Sequence, residues 1–142
     1  MIVVVDASVI IKWYVEEIHD AEAELLLEGN FEIHCPELVI SELGNIIWKK
    51  TRRGEISDEK ALRIAAALLE QDITFHPQKS LLTSSLVGAI STAQTVYDWT
   101  YLSLAISLCC KFITADSRSY KAICTTNYKD NIFWIGDIPD LI

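Results

Sequence analysis

Glycine and proline are scarce in this sequence, which has five glycines and three prolines among 142 residues. Their scarcity argues against a collagen-like repeat, a flexible linker or a disordered chain. Hydrophobic residues make up 51% of the chain, so enough apolar side chains are present to form a sizeable core. The length suits one domain of ordinary size, and we predict a single domain over residues 1–142.

Cysteine and long apolar runs are also in short supply. The four cysteines show no CxxC spacing and no neighbouring histidine pattern, and we interpret them as buried free thiols rather than a disulfide framework or a zinc site. No uncharged apolar stretch reaches the roughly 18 residues typical of a membrane span. The apolar N-terminus lacks a basic region and is interrupted by Asp6, so it does not resemble a signal peptide. We expect a cytoplasmic protein without a membrane segment.

Positive charge is the minority sign. Twelve Lys and Arg residues against twenty Asp and Glu residues give a net charge of −8, which argues against a protein that coats DNA through a basic face. An acidic protein can still cleave nucleic acid if some of its carboxylates gather around metal ions. The positions of the acids therefore decide the interpretation.

Short apolar runs alternate with helical patterns along the whole chain. This order predicts an α/β fold of three layers, in which helices cover both faces of a parallel sheet of about five strands. In such sheets ligands bind at the carboxyl ends of the strands. The predicted strands cover residues 2–5, 32–35, 73–76, 112–114 and 132–135, and the predicted helices cover residues 8–15, 19–28, 36–53, 57–71, 80–94, 98–110 and 117–124.

Two acids follow predicted strands directly. Asp6 comes after the first strand and Asp116 after the fourth, so both are expected at the carboxyl edge of the sheet. Each has an ordinary alternative role as the N-cap of the helix that follows. Two such acids in one sheet favour a shared crevice.

Two further acids lie on helix faces that should point toward the sheet. Glu42 falls among the apolar positions of the long third helix, where an unpaired carboxylate is costly. Asn45 shares that side of the helix and is positioned by spacing to orient Glu42. Asp98 lies on the apolar side of its helix, in the first turn. The alternatives are a Glu42 that reaches solvent and an Asp98 that only complements the helix dipole.

Four carboxylates from four segments would repel one another in a common crevice. A fold keeps such a cluster where hard cations neutralise it. Ligation by oxygen alone favours Mg²⁺ or Mn²⁺ over Zn²⁺. The acids therefore predict a divalent-metal site.

The same segments resemble a known family. Asp-Ala-Ser after the first strand, Ser-Glu-Leu-Gly-Asn on the long helix, Asp98 in a helix and Thr-Ala-Asp-Ser-Arg-Ser-Tyr after the fourth strand together resemble a PIN domain, most of all the VapC toxins of toxin–antitoxin pairs. The resemblance implies an endoribonuclease that uses Mg²⁺ or Mn²⁺, acts as a homodimer and is silenced by a small VapB-like antitoxin. It also implies three groups of site residues: the metal ligands Asp6, Glu42, Asp98 and Asp116, the orienting hydroxyls of Ser8 and Thr114, and the polar helper Asn45.

Other polar and aromatic residues are candidates for contacts outside the acid cluster. Arg118 and Lys121 follow Asp116 on a helix and are candidate RNA contacts. Trp13 and Tyr14 are candidates for a partner groove, and Trp134 is expected in the core or at a dimer contact. The three histidines are scattered without ligand spacing, and the region beyond residue 124 carries no predicted role.

Three alternative functions remain open at this point. A stand-alone PIN nuclease in RNA processing would lack a neighbouring antitoxin gene, and a non-catalytic PIN-like binding module would not need all four acids. A phospho-acceptor receiver domain would need an acidic pair after the first strand and an acceptor Asp after the third. Here Asp6 stands alone and the third strand ends in His76 and Pro77.

Overall fold

The computed structural model describes all residues, 1–142. It contains five strands and seven α-helices, with short 3₁₀ turns at Ile11–Trp13, Lys79–Leu81, Lys129–Asn131 and Ile135–Leu141. The strands are β1 Ile2–Val5, β2 Glu32–Pro36, β3 Thr74–His76, β4 Lys111–Thr114 and β5 Ile132–Trp134. The helices are α1 Ala7–Ile10, α2 Asp20–Glu28, α3 Leu38–Arg52, α4 Asp58–Glu70, α5 Leu82–Thr92, α6 Val96–Ser107 and α7 Ser117–Cys124.

All five strands are parallel and form one sheet in the order β3-β2-β1-β4-β5. The chain builds outward from β1 to β2 and β3, then crosses back to place β4 on the other side of β1. The order therefore reverses between β1 and β4. In open α/β sheets, ligands bind at this topological switch point, beyond the carboxyl ends of the strands.

The central strands are buried on both faces. Val3, Val4 and Val5 are each 0% exposed, and because successive strand residues point to opposite faces, helices must cover both sides of β1. This confirms the predicted α/β fold with a parallel five-stranded sheet. None of the helices combines the length and the apolar character needed to cross a membrane.

Several helix starts differ from the prediction. Pro36 is the last residue of β2, and α3 begins two residues later at Leu38, because Pro36 is still paired with β3. The first helix is capped by Asp6, not by Ser8. The helix predicted to begin at Asp98 begins at Val96.

The cysteine and histidine predictions need correction. All four cysteines are free, as expected, but only Cys35 is buried, and Cys109 is exposed with a left-handed backbone (φ 53°). Two of the histidines are not scattered: His34 Nδ1 and His76 Nε2 lie 2.8 Å apart on the neighbouring strands β2 and β3. Strand register brought them together across 42 residues, which sequence spacing does not reveal.

A glycine allows α5 and α6 to pack closely. The indole of Trp99, 3% exposed, lies against the backbone of Gly88, and a Cβ at Gly88 would overlap the ring. The indole N–H donates to Thr92 Oγ1 at 2.7 Å, and Tyr128 packs edge-on with ring centroids 4.8 Å apart. The ring is therefore held on three sides and cannot move aside easily.

Gly88→Ala is expected to lower the free energy of unfolding by about 1–3 kcal/mol, because the new methyl group overpacks a fixed indole. Gly44→Ala in α3 is the matched control, since a Cβ there meets nothing within 4 Å. That substitution should raise stability by about 0.5–1 kcal/mol through helix propensity. Urea unfolding of both variants tests the pair, and equal stability of the two variants would contradict the packing.

Candidate active site

Asp6 is a buried acid at the carboxyl end of β1, with 8% of its surface exposed. Oδ1 accepts hydrogen bonds from Ser8 Oγ at 2.5 Å and from the backbone N–H of Val9 at 3.2 Å, and Oδ2 accepts from Thr114 Oγ1 at 2.5 Å. Burial raises the pKa of Asp6 to about 7 against the opposing effect of these hydrogen bonds. Asp6 therefore caps α1 and also places a buried carboxyl group at the topological switch point of the sheet.

The two hydroxyls that hold Asp6 also tie together the loops after β1 and β4. Ser8 Oγ accepts from the backbone N–H of Ala115 at 3.0 Å, and Thr114 Oγ1 accepts from the backbone N–H of Asp116 at 3.0 Å. Each hydroxyl thus donates to the Asp6 carboxylate and accepts from the neighbouring loop. The position of Asp6 relative to Asp116 is fixed by this network.

Asp116 is exposed at the start of α7. Its Oδ1 accepts from the backbone N–H groups of Arg118 at 3.0 Å and Ser119 at 3.3 Å, so it caps the helix. The Ser119 hydroxyl beside it is the one buried side-chain polar atom without a hydrogen-bond partner. A polar group left in this state is unusual in a folded protein.

Glu42 is half-buried on α3 and its Oε1 accepts a hydrogen bond from Tyr101 Oη at 2.9 Å. Burial raises the pKa of Glu42, and the charge of Asp98 adds to the rise. Tyr101 is 2% exposed and stacks on Phe112 of β4, with ring centroids 5.6 Å apart. A core tyrosine therefore positions the carboxylate.

Asn45 does not orient Glu42, contrary to the prediction. Its side chain is exposed and makes no hydrogen bond, and Tyr101 from α6 occupies the role. The available signal was that Tyr101 lies three residues after Asp98 on the same helix, and a buried tyrosine hydroxyl needs a partner. Spacing within α3 alone could not identify a partner from α6.

Asp98 is half-buried in the first turn of α6, which Thr95 caps. Burial raises the pKa of Asp98, and the charge of Asp116 adds to the rise, while Thr95 and the Arg118 guanidinium oppose it. Asp98 is thus electrostatically linked to Asp116, the N-cap of α7, and to Arg118 in the first turn of that helix.

The fold gathers the four acids at one end of the sheet. Electrostatic repulsion links them in sequence, from Asp6 to Glu42, from Glu42 to Asp98 and from Asp98 to Asp116. None of the four takes part in a salt bridge: the ion pairs of the chain involve Glu17, Glu22 and Glu55. The site therefore holds negative charge that no salt bridge neutralises.

The donor set suits a hard divalent cation, because it consists of carboxylates whose repulsion such an ion would relieve. An unsatisfied hydroxyl at Ser119 in the same region also points to a missing polar partner. However, no three His, Cys, Asp or Glu side chains converge on one point at metal-ligand spacing. Several carboxylates would therefore have to move before they could share an ion.

The two candidate RNA contacts lie on the exposed side of α7. Arg118 and Lys121 are both exposed, and Arg118 interacts electrostatically with Asp98. Neither forms a salt bridge. Both positive charges are available to a ligand at the edge of the site.

A family model and a curated protein both match most of the chain. The family model described as PIN domain matches residues 3–124. The chain is 32% identical over 120 residues to Ribonuclease VapC3 of Pyrobaculum aerophilum, covering 83% of this chain and 92% of that protein.

Two solved structures share the fold. The crystal structure of PAE2754 from Pyrobaculum aerophilum matches with a TM-score of 0.70 and 22% identity, covering 98% of this chain and 88% of that one. VapBC2 from Rickettsia felis, solved with a DNA fragment from its promoter, matches with a TM-score of 0.61 and 14% identity, covering 94% of this chain and 98% of that one.

Proposed function

The chain belongs to the PIN domain family, and we propose that it is a metal-dependent endoribonuclease that hydrolyses RNA phosphodiester bonds as the toxin of a VapBC-type pair. The observation that carries the proposal is the group of four unpaired carboxylates at the switch point of the sheet. The 32% identity to a protein named as a ribonuclease supports the substrate class. An RNA substrate and four free thiols are both typical of a cytoplasmic protein, and the proposal includes that location. It also includes a single domain over residues 1–142.

Three groups of residues have separate roles in the proposed reaction. Asp6, Glu42, Asp98 and Asp116 would hold Mg²⁺ or Mn²⁺, which supplies charge neutralisation for the phosphodiester and activation of water. Ser8 and Thr114 fix the Asp6 carboxylate, and Tyr101 fixes that of Glu42. Arg118 and Lys121 would contact RNA phosphates, since both cations are exposed beside the acids.

Two protein partners belong to the proposal. The first is a VapB-like antitoxin, and a cavity of about 530 Å³ lined by Trp13 and Tyr14 is its candidate docking groove. A basic side chain of this partner, best an arginine, would enter the acidic site.

The second partner is another copy of the chain. The α5 helix carries no charged residue and exposes Leu82, Leu86 and Ile90 on one side, each at least 47% exposed. Two copies with a net charge of −8 repel each other elsewhere on their surfaces. An uncharged apolar face is where they can approach, which supports a homodimer.

Cleavage of RNA should require a divalent ion. Purified protein incubated with total RNA is expected to produce discrete fragments with Mg²⁺ or Mn²⁺ and none with EDTA, and sequencing of the fragment ends maps the cuts. Undiminished cleavage in EDTA would contradict the metal site. RNA left intact under all conditions would favour the non-catalytic binding module, and cleavage without any inhibitory neighbouring gene product would favour a stand-alone PIN nuclease.

A further inference from the structure

A second pocket has a volume of about 530 Å³ and includes residues on both sides of Asp116 in its lining. Its lining comes from the loop after α1, the loop between β4 and α7, and the end of β5. Ala115 and Ser117 line it, and these residues flank Asp116 in the chain. A ligand that occupies the pocket would therefore lie next to the proposed cleavage site.

Strand register places an aromatic residue in this pocket. Trp134 ends β5 and pairs with Thr114 of β4, the residue whose hydroxyl holds Asp6. Neighbouring strands lie roughly 4.8 Å apart. Trp134 thus belongs to the same edge of the sheet as Asp6, two strands further out.

The Trp134 ring is held in place but not covered. His19 packs edge-on with ring centroids 5.6 Å apart, and Tyr120 lies on another side at 5.5 Å. Gly136 approaches so closely that a Cβ there would lie 2.7 Å from Trp134 Nε1. Trp134 is only half-buried, and its indole N–H donates no hydrogen bond within the chain. It is a fixed aromatic surface with a free donor.

The rim of the pocket has two features that core packing does not explain. Ile18 lines the pocket and is 81% exposed. His19 follows it with a left-handed backbone (φ 68°), a conformation that non-glycine residues rarely adopt. Such strain tends to occur where it serves a binding site.

The lysine and the histidine that line the pocket each have an acidic partner. Lys12 Nζ lies 3.0 Å from Glu17, and its side chain is only 9% exposed. His19 Nδ1 lies 3.0 Å from Glu22. Without a free cation the pocket suits an uncharged, flat group better than a phosphate.

We propose that this pocket binds one unpaired nucleobase of the RNA strand next to the scissile phosphodiester, stacked on Trp134 and bordered by Ile18. The inference rests on the proposed ribonuclease function. It places an RNA-binding residue in the region after residue 124. Stacking of a base on an aromatic side chain is worth roughly 5- to 150-fold in affinity.

Abasic substitution tests the pocket. The probes are single-stranded oligoribonucleotides of one sequence that the parent cleaves with Mn²⁺, each with one abasic position near the cut. One such position should raise the KM of the parent about tenfold, and kcat should change little. In Trp134→Leu the same abasic position should change KM less than about twofold, because the platform is already lost. In Ile18→Ala the platform remains without its border, and the rise in KM should be smaller than in the parent.

Two variants keep the test independent of folding. Ile18→Ala removes an exposed side chain, so the fold does not depend on it. Leu69→Ala, on α4, removes another side chain that is 74% exposed and should keep the full abasic penalty.

The outcomes separate the two proposals. The base pocket is overturned if no abasic position raises the KM of the parent, or if the rise is equal in the parent and both pocket variants. Either result leaves the proposed nuclease function unaffected. If the pocket variants keep their RNA kinetics but escape inhibition by an antitoxin, the pocket binds protein and the inference is wrong. A parent that cleaves no RNA with Mn²⁺ overturns the proposed function and the base pocket together.

Discussion

Asp116→Asn is expected to reduce RNA cleavage by at least about a hundredfold while the protein remains folded. Asparagine is as good an N-cap as aspartate, and its side-chain oxygen can still accept from the backbone N–H groups of Arg118 and Ser119. The helix start is therefore preserved, and only the negative charge is lost. A large fall in kcat would then report the loss of a metal ligand.

The control is Asp58→Asn, the same chemical change in the first turn of α4. It should leave cleavage within about twofold of the parent, because α4 contributes none of the four acids. Asp98→Asn and Asp6→Asn should match the loss at Asp116, with circular dichroism to confirm folding. Activity of Asp116→Asn within about tenfold of the parent would show that the residue is only a cap.

The fold and the location of the site were predictable because they depend on local pattern. The run Ile2–Val5 is β-branched throughout, as a strand buried on both faces requires. Once the strands are known to be parallel, acids that follow them must meet at one edge. Asp6 and Asp116 could therefore be placed together from the sequence, although they lie 110 positions apart.

Contacts between elements were not predictable, because they depend on packing that no spacing encodes. Asn45 satisfied the helical spacing to Glu42, but Tyr101 reaches that carboxylate from another helix. Trp134 was expected in the core or at a dimer contact; it packs against the core but is only half-buried, and its pairing with Thr114 follows from the register of β5. The chain after residue 124 carries no motif, and its position next to β4 is known only from the pairing of β5 in the sheet.

The metal-free protein is expected to lose stability as the pH rises from about 4 to about 7. The pKa of Asp6 is raised by burial from 3.8 to about 7, so the folded state keeps a proton that the unfolded chain releases in this range. A folded pKa above the unfolded value means that stability falls with increasing pH. Burial raises the pKa values of Glu42 and Asp98 in the same direction. Thermal melts in EDTA between pH 4 and pH 8 measure the fall.

Asp98→Asn should therefore melt at or above the temperature of the parent in EDTA at pH 8, because the raised pKa of Asp98 shows that its charge is unfavourable in the fold. With Mn²⁺ the parent should instead melt at a higher temperature than Asp98→Asn. A ligand at 100 times its dissociation constant stabilises the folded state by about 2.7 kcal/mol, so the melting temperature of the parent should rise with Mn²⁺ concentration. The variant should gain less, since one ligand is missing, whereas Asp58→Asn should respond like the parent. If the four acids served only as helix caps and surface charges, Mn²⁺ would change none of the three melting temperatures.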